Sequence, residues 1–380
     1  MIAILDAKRA TSASSTNAAV MTHGTIALRN LEAQIEGLEP NATPSRLGGE
    51  ERAWLIDLLA LRGSILGSIA DYERALGLAD LLVRDATTEA AAFLARARTR
   101  AVFHRFRDAL DDLDVAERLA ADAESVDRER AAVFQGLGRY DEACAIREEH
   151  ARRCPSFESL GALTTLCAER GDTERAEWLH AESVQRYRGV SPLPLATLDF
   201  QLGAMWMHEG QLDRARDHLI AARRYVPAYA PAGGHFAEVE AELGHFDLAI
   251  ALLIPLATAS DDPDYAAQLA RVCDAHTGYP DDARYWRERA AARYDELIAA
   301  YPEAFADHAA EFWLAAGGDP DKALRLAKLN LEVRKTPRAY ELLHQAVLAT
   351  NSQEQHFYRC PAAVPTSGRD INRHTSNPKG

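Results

Sequence analysis

Gly138-Arg139-Tyr140-Asp141-Glu142-Ala143 is the stretch that decides the fold. Its glycine can take the left-handed conformation that ends a helix, and the acid then sits near the positive N-terminal end of the next one. The alanine, one turn further on, lets a neighbouring helix come close. The frame returns ending at Ala75, Ala109, Ala143, Ala176, Ala215, Ala249, Ala283 and Ala323, with successive spacings of 34, 34, 33, 39, 34, 34 and 40 residues. Alanine alone would prove little in a chain this rich in it, so the flanking positions carry the argument. Five residues before each alanine stand Ala70, His104, Gly138, Gly171, Gly210, Gly244, Gly278 and Gly318. Two residues before it come Glu73, Arg107, Asp141, Glu174, Asp213, Asp247, Asp281 and Asp321, and only Arg107 departs from an acid. A glycine-ended helix followed by an acid-opened helix, repeated at this period, predicts stacked helix pairs.

The chain has 380 residues, of which 47% are hydrophobic and 26% charged, so it can bury a core. That length is more than one undivided core usually supports, which also favours a repeat array. Strand-like alternation is scarce. Lys and Arg number 43 against 57 Asp and Glu, a formal charge of −14 that disfavours nucleic acid and anionic lipid as partners. The five cysteines, at 144, 154, 167, 273 and 360, match no disulfide framework or metal spacing and are expected as reduced thiols of a cytoplasmic protein. Asp6, Lys8 and Arg9 interrupt any secretory signal, and no apolar run reaches the roughly 18 residues of a membrane span.

The period and frame resemble the tetratricopeptide repeat (TPR) family, whose unit is a 34-residue helix-turn-helix. The fifth copy carries the likeness best, with Leu202-Gly203, Trp206, Gly210, Ala215, Leu219, Ala222 and Pro227 on the family's positions. The resemblance implies an all-α, right-handed superhelical solenoid of about eight antiparallel helix pairs with capping helices. The expected divisions are a disordered tail over 1–22, a capping helix and linker over 23–54, the array over 55–337, a second cap over 338–350 and a disordered tail over 351–380. The two long spacings are expected to hold a bent connection at 188–194 and a longer second helix over 284–301.

Catalytic and cofactor motifs are missing: there is no phosphate loop, dinucleotide fingerprint, zinc-enzyme His pair or nucleophile elbow. Gly63-Ser64-Ile65-Leu66-Gly67-Ser68 is read as helix packing, and Asp108, Asp111, Asp112 and Asp114 as a solvated helix face rather than a cation site. No catalytic residue, metal or cofactor is assigned. The resemblance implies a concave groove lined by the first helix of each pair. Counting back from each alanine to the family's groove positions gives Arg98, Arg128, Gln135, Thr165, Phe200, Met207, Tyr265, Gln268, His308 and Phe312 as partner contacts. Two arginines in the N-terminal half suggest a carboxylate-bearing partner segment, and the aromatics and Met207 suggest apolar anchors. The expected function is a non-catalytic protein–protein scaffold or adaptor holding a peptide or partner segment. The alternative is an α/α superhelical enzyme or small-ligand binder, which acids converging in one cavity would favour.

Overall fold

In the computed structural model, residues 21–41, 46–276 and 280–359 are described, with side chains described through residue 351. Among them are eighteen α-helices, one short 3-10 helix and no strand. After α1 (Gly24–Leu38) come eight pairs: α2 (Gly49–Leu66) with α3 (Ile69–Asp85), α4 (Ala90–Val102) with α5 (Phe106–Arg118), α6 (Ala123–Leu137) with α7 (Tyr140–Arg153), and α8 (Phe157–Glu169) with α9 (Thr173–Arg186). The series continues with α10 (Leu193–His208) and α11 (Leu212–Tyr225), α12 (Ala230–Glu242) and α13 (Phe246–Ala259), α14 (Pro263–Ala275) and α15 (Pro280–Ala300), and α16 (Pro302–Leu314) and α17 (Pro320–Val333), before the closing α18 (Pro337–Arg359).

The repeat frame is physical. All eight frame alanines have no exposed surface. Each sits where its pair crosses, and a larger side chain there would have to push the helices apart. Gly138, Gly171, Gly210, Gly244 and Gly318 all adopt positive φ at the turn between paired helices, and so does His104, at φ 53. The first unit departs from the frame: Ala70 lies within α3, and the left-handed turn falls at Gly67, followed by the Ser68 cap. Gly67 is therefore a turn residue and not part of a helix interior. Gly278 lies outside the described residues.

Both irregular intervals take the form their sequence implies. Residues 187–192 connect α9 to α10 without helix, and α15 runs for 21 residues. Two boundaries move. The first pair begins at Gly49 rather than 55, because Glu51 folds back to accept a hydrogen bond from the Gly48 backbone N–H and so caps α2. The last helix continues through Arg359 rather than ending at 350, since no proline or glycine interrupts 338–359.

The superhelix is wound tightly enough that its successive turns touch. Asp261, between the sixth and seventh pairs, accepts hydrogen bonds from the backbone N–H groups of Ile69 and Ala70 at 2.6 and 2.8 Å, capping α3 of the first pair. Beside it the Ser260 hydroxyl donates to the Gly67 carbonyl. One repeat on, His104 in the turn of the second pair donates from Nδ1 to the Glu303 carbonyl at 3.0 Å. One repeat further, the Lys335 N–H donates to the Leu137 carbonyl at 3.1 Å, and Arg334 Nε to the Gly136 carbonyl at 3.2 Å. Thus the turns of pairs one, two and three rest in order on the loop after pair six, the first turn of α16 after pair seven, and the loop after pair eight. Helix α1 lies in the same seam: Leu31 and Ile35 are buried, and a Cβ on Gly24 would come within 2.2 Å of the Tyr225 carbonyl oxygen. Helix α2 is consequently enclosed, with Leu55, Ile56, Leu58 and Leu59 at 0–1% exposure.

Candidate functional site

Winding the array this closely changes what its inner surface offers. In the first half, the inner helices face one another and spend their polar groups on each other. Arg98 on α4 makes two hydrogen bonds to Asp57 on α2, at 2.8 and 2.7 Å, and lies 3.7 Å from Glu129. Its charge is thereby neutralised within the protein, which leaves no free fork for a partner's carboxylate. Gln135 donates to Glu169. Thr165 donates to the Ala162 carbonyl at 2.9 Å and accepts from Arg147 at 3.2 Å. Arg128 is the exception: its one hydrogen bond is a long one of 3.4 Å to Ser125, and its Nε is buried without a partner.

The acidic stretch on α5 is a solvated face at Asp111 and Asp114 and partly at Asp108, but Asp112 departs from that reading. Asp112 is 2% exposed and receives both Arg96, at 2.7 Å, and Arg100, at 2.6 Å. Asp108 pairs with Arg105, and Asp114 with Arg130. The residue spacing could not show the Asp112 and Asp114 pairs, because Arg96 and Arg100 arrive from α4 and Arg130 from α6; only Arg105, just before α5, is local.

In the second half the inner helices diverge and leave a cavity of about 490 Å³, the size of a ligand or side-chain pocket. Its walls come from α10, α12, α14, α16 and α18, with Ala315 and Ala316 just beyond α16. Met207, Gln268, His308 and Phe312, four of the ten residues expected from sequence, line it. Phe200 stands one layer behind, packed edge-on against Tyr229 and His235 at 5.4 and 5.0 Å between ring centres. Tyr265 is buried, and its ring fills the space a Cβ would need at Gly67 of the adjoining turn and at Gly234. It is a structural wedge between turns. Phe312 is 4% exposed and packs on Tyr294 and Trp313, so it forms the cavity floor as much as its lining.

The polar lining is dominated by carboxylates. Glu238 pairs with Arg271, and Glu311 takes both nitrogens of Arg338 from α18, the shorter at 2.7 Å. The Glu311 carboxylate holds the Arg338 guanidinium firmly in its charged form. Burial works against charge on Arg271, but Glu238 outweighs it. Asp264 accepts from Gln268 Nε2 at 2.8 Å and Glu341 from Gln345 at 3.2 Å, and neither has a cationic partner among the described residues. The Oε1 of Gln268 is buried with no hydrogen-bond partner. Burial pushes the His235 imidazole toward its neutral form, whereas the neighbouring Asp307 carboxylate draws the His308 pKa upward. Asp307 itself stays well below the usual carboxylate range: burial alone would raise it, but His308, His104 and Arg334 together more than reverse that. The cavity is therefore net acidic, with Met207, Phe312, Leu314 and Leu342 as its apolar surface.

Counting from the frame missed Arg338, Glu341 and Gln345, because the count stopped at the eighth pair while α18 builds the fifth wall. It also missed Asp264 and Glu311, which lie on helices already identified but outside the positions counted.

Sixteen helices in eight consecutive antiparallel pairs, flanked by α1 and α18 and turning at left-handed residues every 34 or so positions, define a tetratricopeptide-like helical solenoid. Solved structures agree on the fold. The human IFIT1 dimer with m7Gppp-AAAA is 15% identical, with a TM-score of 0.52 over 85% of this chain and 77% of that one. Two further similarities are looser. The APC/C hetero-tetramer Cut9-Hcn1 is 16% identical at a TM-score of 0.45, and this chain spans about half of it, 84% of this chain against 52% of that one. The C-terminal part of a TPR repeat-containing protein from Cytophaga hutchinsonii is 14% identical at a TM-score of 0.37, over 66% of this chain and 99% of that one. No family model and no curated protein matches the sequence.

Proposed function

We propose that the protein is a non-catalytic binding scaffold that takes a segment of a protein partner, bearing basic and apolar side chains, into the cavity between α10, α12, α14, α16 and α18. The observation that carries this reading is the cavity's polar lining, in which Asp264 and Glu341 form no close ion pair, and Gln268 Oε1 is buried without a hydrogen-bond partner, among the described residues. A lysine, arginine or amide donor would satisfy those groups, while Met207, Leu314 and Leu342 receive an apolar side chain. An acidic segment, suggested by Arg98 and Arg128, fits less well because Arg98 is already committed to Asp57. Among solved structures of this fold, IFIT1 holds the capped oligonucleotide m7Gppp-AAAA; the excess of carboxylates here opposes a triphosphate.

One observation favours the second reading, a small-ligand binder or enzyme: four carboxylates converge on this single cavity. Two of them, Glu238 and Glu311, are held by arginine and accept no further work as acid or base without breaking those pairs. That arrangement suits recognition better than proton transfer.

The test is a selection from a displayed peptide library followed by fluorescence anisotropy with the parent, Glu341→Lys and Met207→Ala. Glu341 is exposed and Met207 only half-buried, so both variants are expected to melt close to the parent. Basic-apolar peptides should bind the parent and lose at least tenfold in affinity on Glu341→Lys, and a 5′-triphosphate RNA should not compete. Selection of acidic peptides, or binding indifferent to both substitutions, would defeat the proposal.

A further inference from the structure

Among the described residues, buried carboxylates follow one rule with one exception. Asp57, Asp71, Asp112, Glu240 and Asp307 each pair with an arginine. Asp199, only 6% exposed, has no arginine or lysine partner among the described residues and is met instead by two imidazoles. His180 Nε2 on α9 and His218 Nδ1 on α11 both lie 3.0 Å from the same oxygen, Oδ1 of Asp199 on α10. The three ligand atoms fall within 4.8 Å of one another, and the imidazole rings stand nearly perpendicular, at 84°, with centres 5.5 Å apart.

Hydrogen bonding accounts for only part of this arrangement. His218 Nδ1 makes a well-formed bond to Asp199. His180 Nε2 is equally close and buried, but it lies off the line that a well-formed hydrogen bond to the carboxylate needs, so its contact is mainly electrostatic. A buried ring nitrogen held 3.0 Å from a carboxylate oxygen at a poor hydrogen-bonding angle is also the arrangement expected of two ligands around a common centre. Nitrogens and oxygens bound to one tetrahedral dication at about 2.0–2.2 Å lie roughly 3.3 Å apart, and the two N···O separations here are close to that. Two imidazoles and one carboxylate select a late first-row dication over calcium or magnesium, which prefer all-oxygen sites.

We infer that His180, Asp199 and His218 form a zinc-type divalent metal site that pins α9, α10 and α11 together. Its position gives it a task. The three ligands bridge the fourth and fifth pairs across the 187–192 connection, the one place between those pairs where an extended loop interrupts the helical stacking. A bound ion would fix that joint and hold the inner helix α10, and with it Met207, against its neighbours. The remaining coordination position is left for water. Sequence spacing hid the site, since the ligands are 19 residues apart on three different helices.

The test uses the full chain, freed of metal by a chelator, titrated calorimetrically with zinc chloride and examined by visible absorption with cobalt(II). One equivalent should bind, melting should rise by a few degrees, and the cobalt spectrum should show nitrogen and oxygen ligation without thiolate charge transfer. His180→Gln and His218→Gln should each weaken binding at least tenfold while the metal-free variants melt near the metal-free parent. Should a variant fail to fold, the cobalt spectrum of the parent still decides the matter. No uptake at micromolar metal, equal uptake by the His180→Gln/His218→Gln double variant, or a thiolate spectrum arising from the free cysteines would each overturn the assignment.

Discussion

Replacing Asp261 with alanine probes the contact between superhelical turns most directly. The carboxylate accepts from the Ile69 and Ala70 backbone N–H groups, 2.6 and 2.8 Å away, at the N-terminus of a helix nearly two hundred residues earlier in the chain. A hydrogen bond to a charged group is worth about 1.5–3 kcal/mol, and the helix N-terminus adds some favourable interaction with the negative charge. Asp261 is about one-third exposed and its nearest cation, Arg293, is 3.9 Å away, so water can take over part of what is lost. The expected destabilisation is about 1–2 kcal/mol, a fall in melting temperature of roughly 1–3 °C for a chain of this length. Asp261→Asn keeps one side-chain oxygen and should lose about half as much. Hydrogen exchange supplies the local reading: the Ile69 and Ala70 amides should exchange faster in Asp261→Ala while those at the equivalent turn of the fifth pair, Leu212 and Asp213, do not change. Parent-like melting together with parent-like exchange at Ile69 and Ala70 would refute the reasoning that the turns of the superhelix support one another.

Two more substitutions test the seam. Gly138→Ala should cost about 2–4 kcal/mol, because φ is +80 and the new Cβ would meet the Lys335 carbonyl oxygen at 2.3 Å. Gly244→Ala has a similar φ of +84 but open space around it, and should cost only about 1 kcal/mol; equal melting temperatures for the two would contradict the inter-turn contact. His104→Asn bears on pH. Burial, aided by Arg334, drives the His104 pKa down to about 4 despite the Asp307 charge, so the folded protein binds fewer protons than the unfolded chain between pH 4 and about 6.5. Its contribution is fully present above pH 6.5 and is lost as pH falls toward 4. His104→Asn should flatten that fall by about 1 kcal/mol while tolerating the left-handed backbone, and an unchanged pH profile would count against it.

The fold was legible because most turns of the array carry their own local signal. A glycine with positive φ and an alanine with no exposed surface are dictated within one helix pair, so a 34-residue period reports them faithfully. What lies between turns was not legible. Asp261 reads as an ordinary helix-preceding acid, and nothing in its neighbourhood announces that its partners are Ile69 and Ala70. The same limit governed the groove. Family positions located the inner face, and Met207, Gln268, His308 and Phe312 do line the cavity. They could not tell that Arg98 would be consumed by Asp57, or that Tyr265 would wedge against Gly67. Phe312 shows the cost of that limit for experiment. The sequence offers Phe312 as a partner contact, yet with Tyr294 and Trp313 packed on it, truncation to alanine should cost about 3–5 kcal/mol of folding.

In the proposed function, a partner segment occupies the cavity enclosed by the inner helices of the second half. Hydrogen exchange on the full chain, with and without a saturating basic-apolar peptide from the selection, measures this directly. Protection should appear on α10, α12, α14, α16 and α18 and leave α11 and α13 unchanged. Protection centred on α13, whose Leu248 and Ile254 are the large exposed apolar residues of the outer surface there, would contradict it.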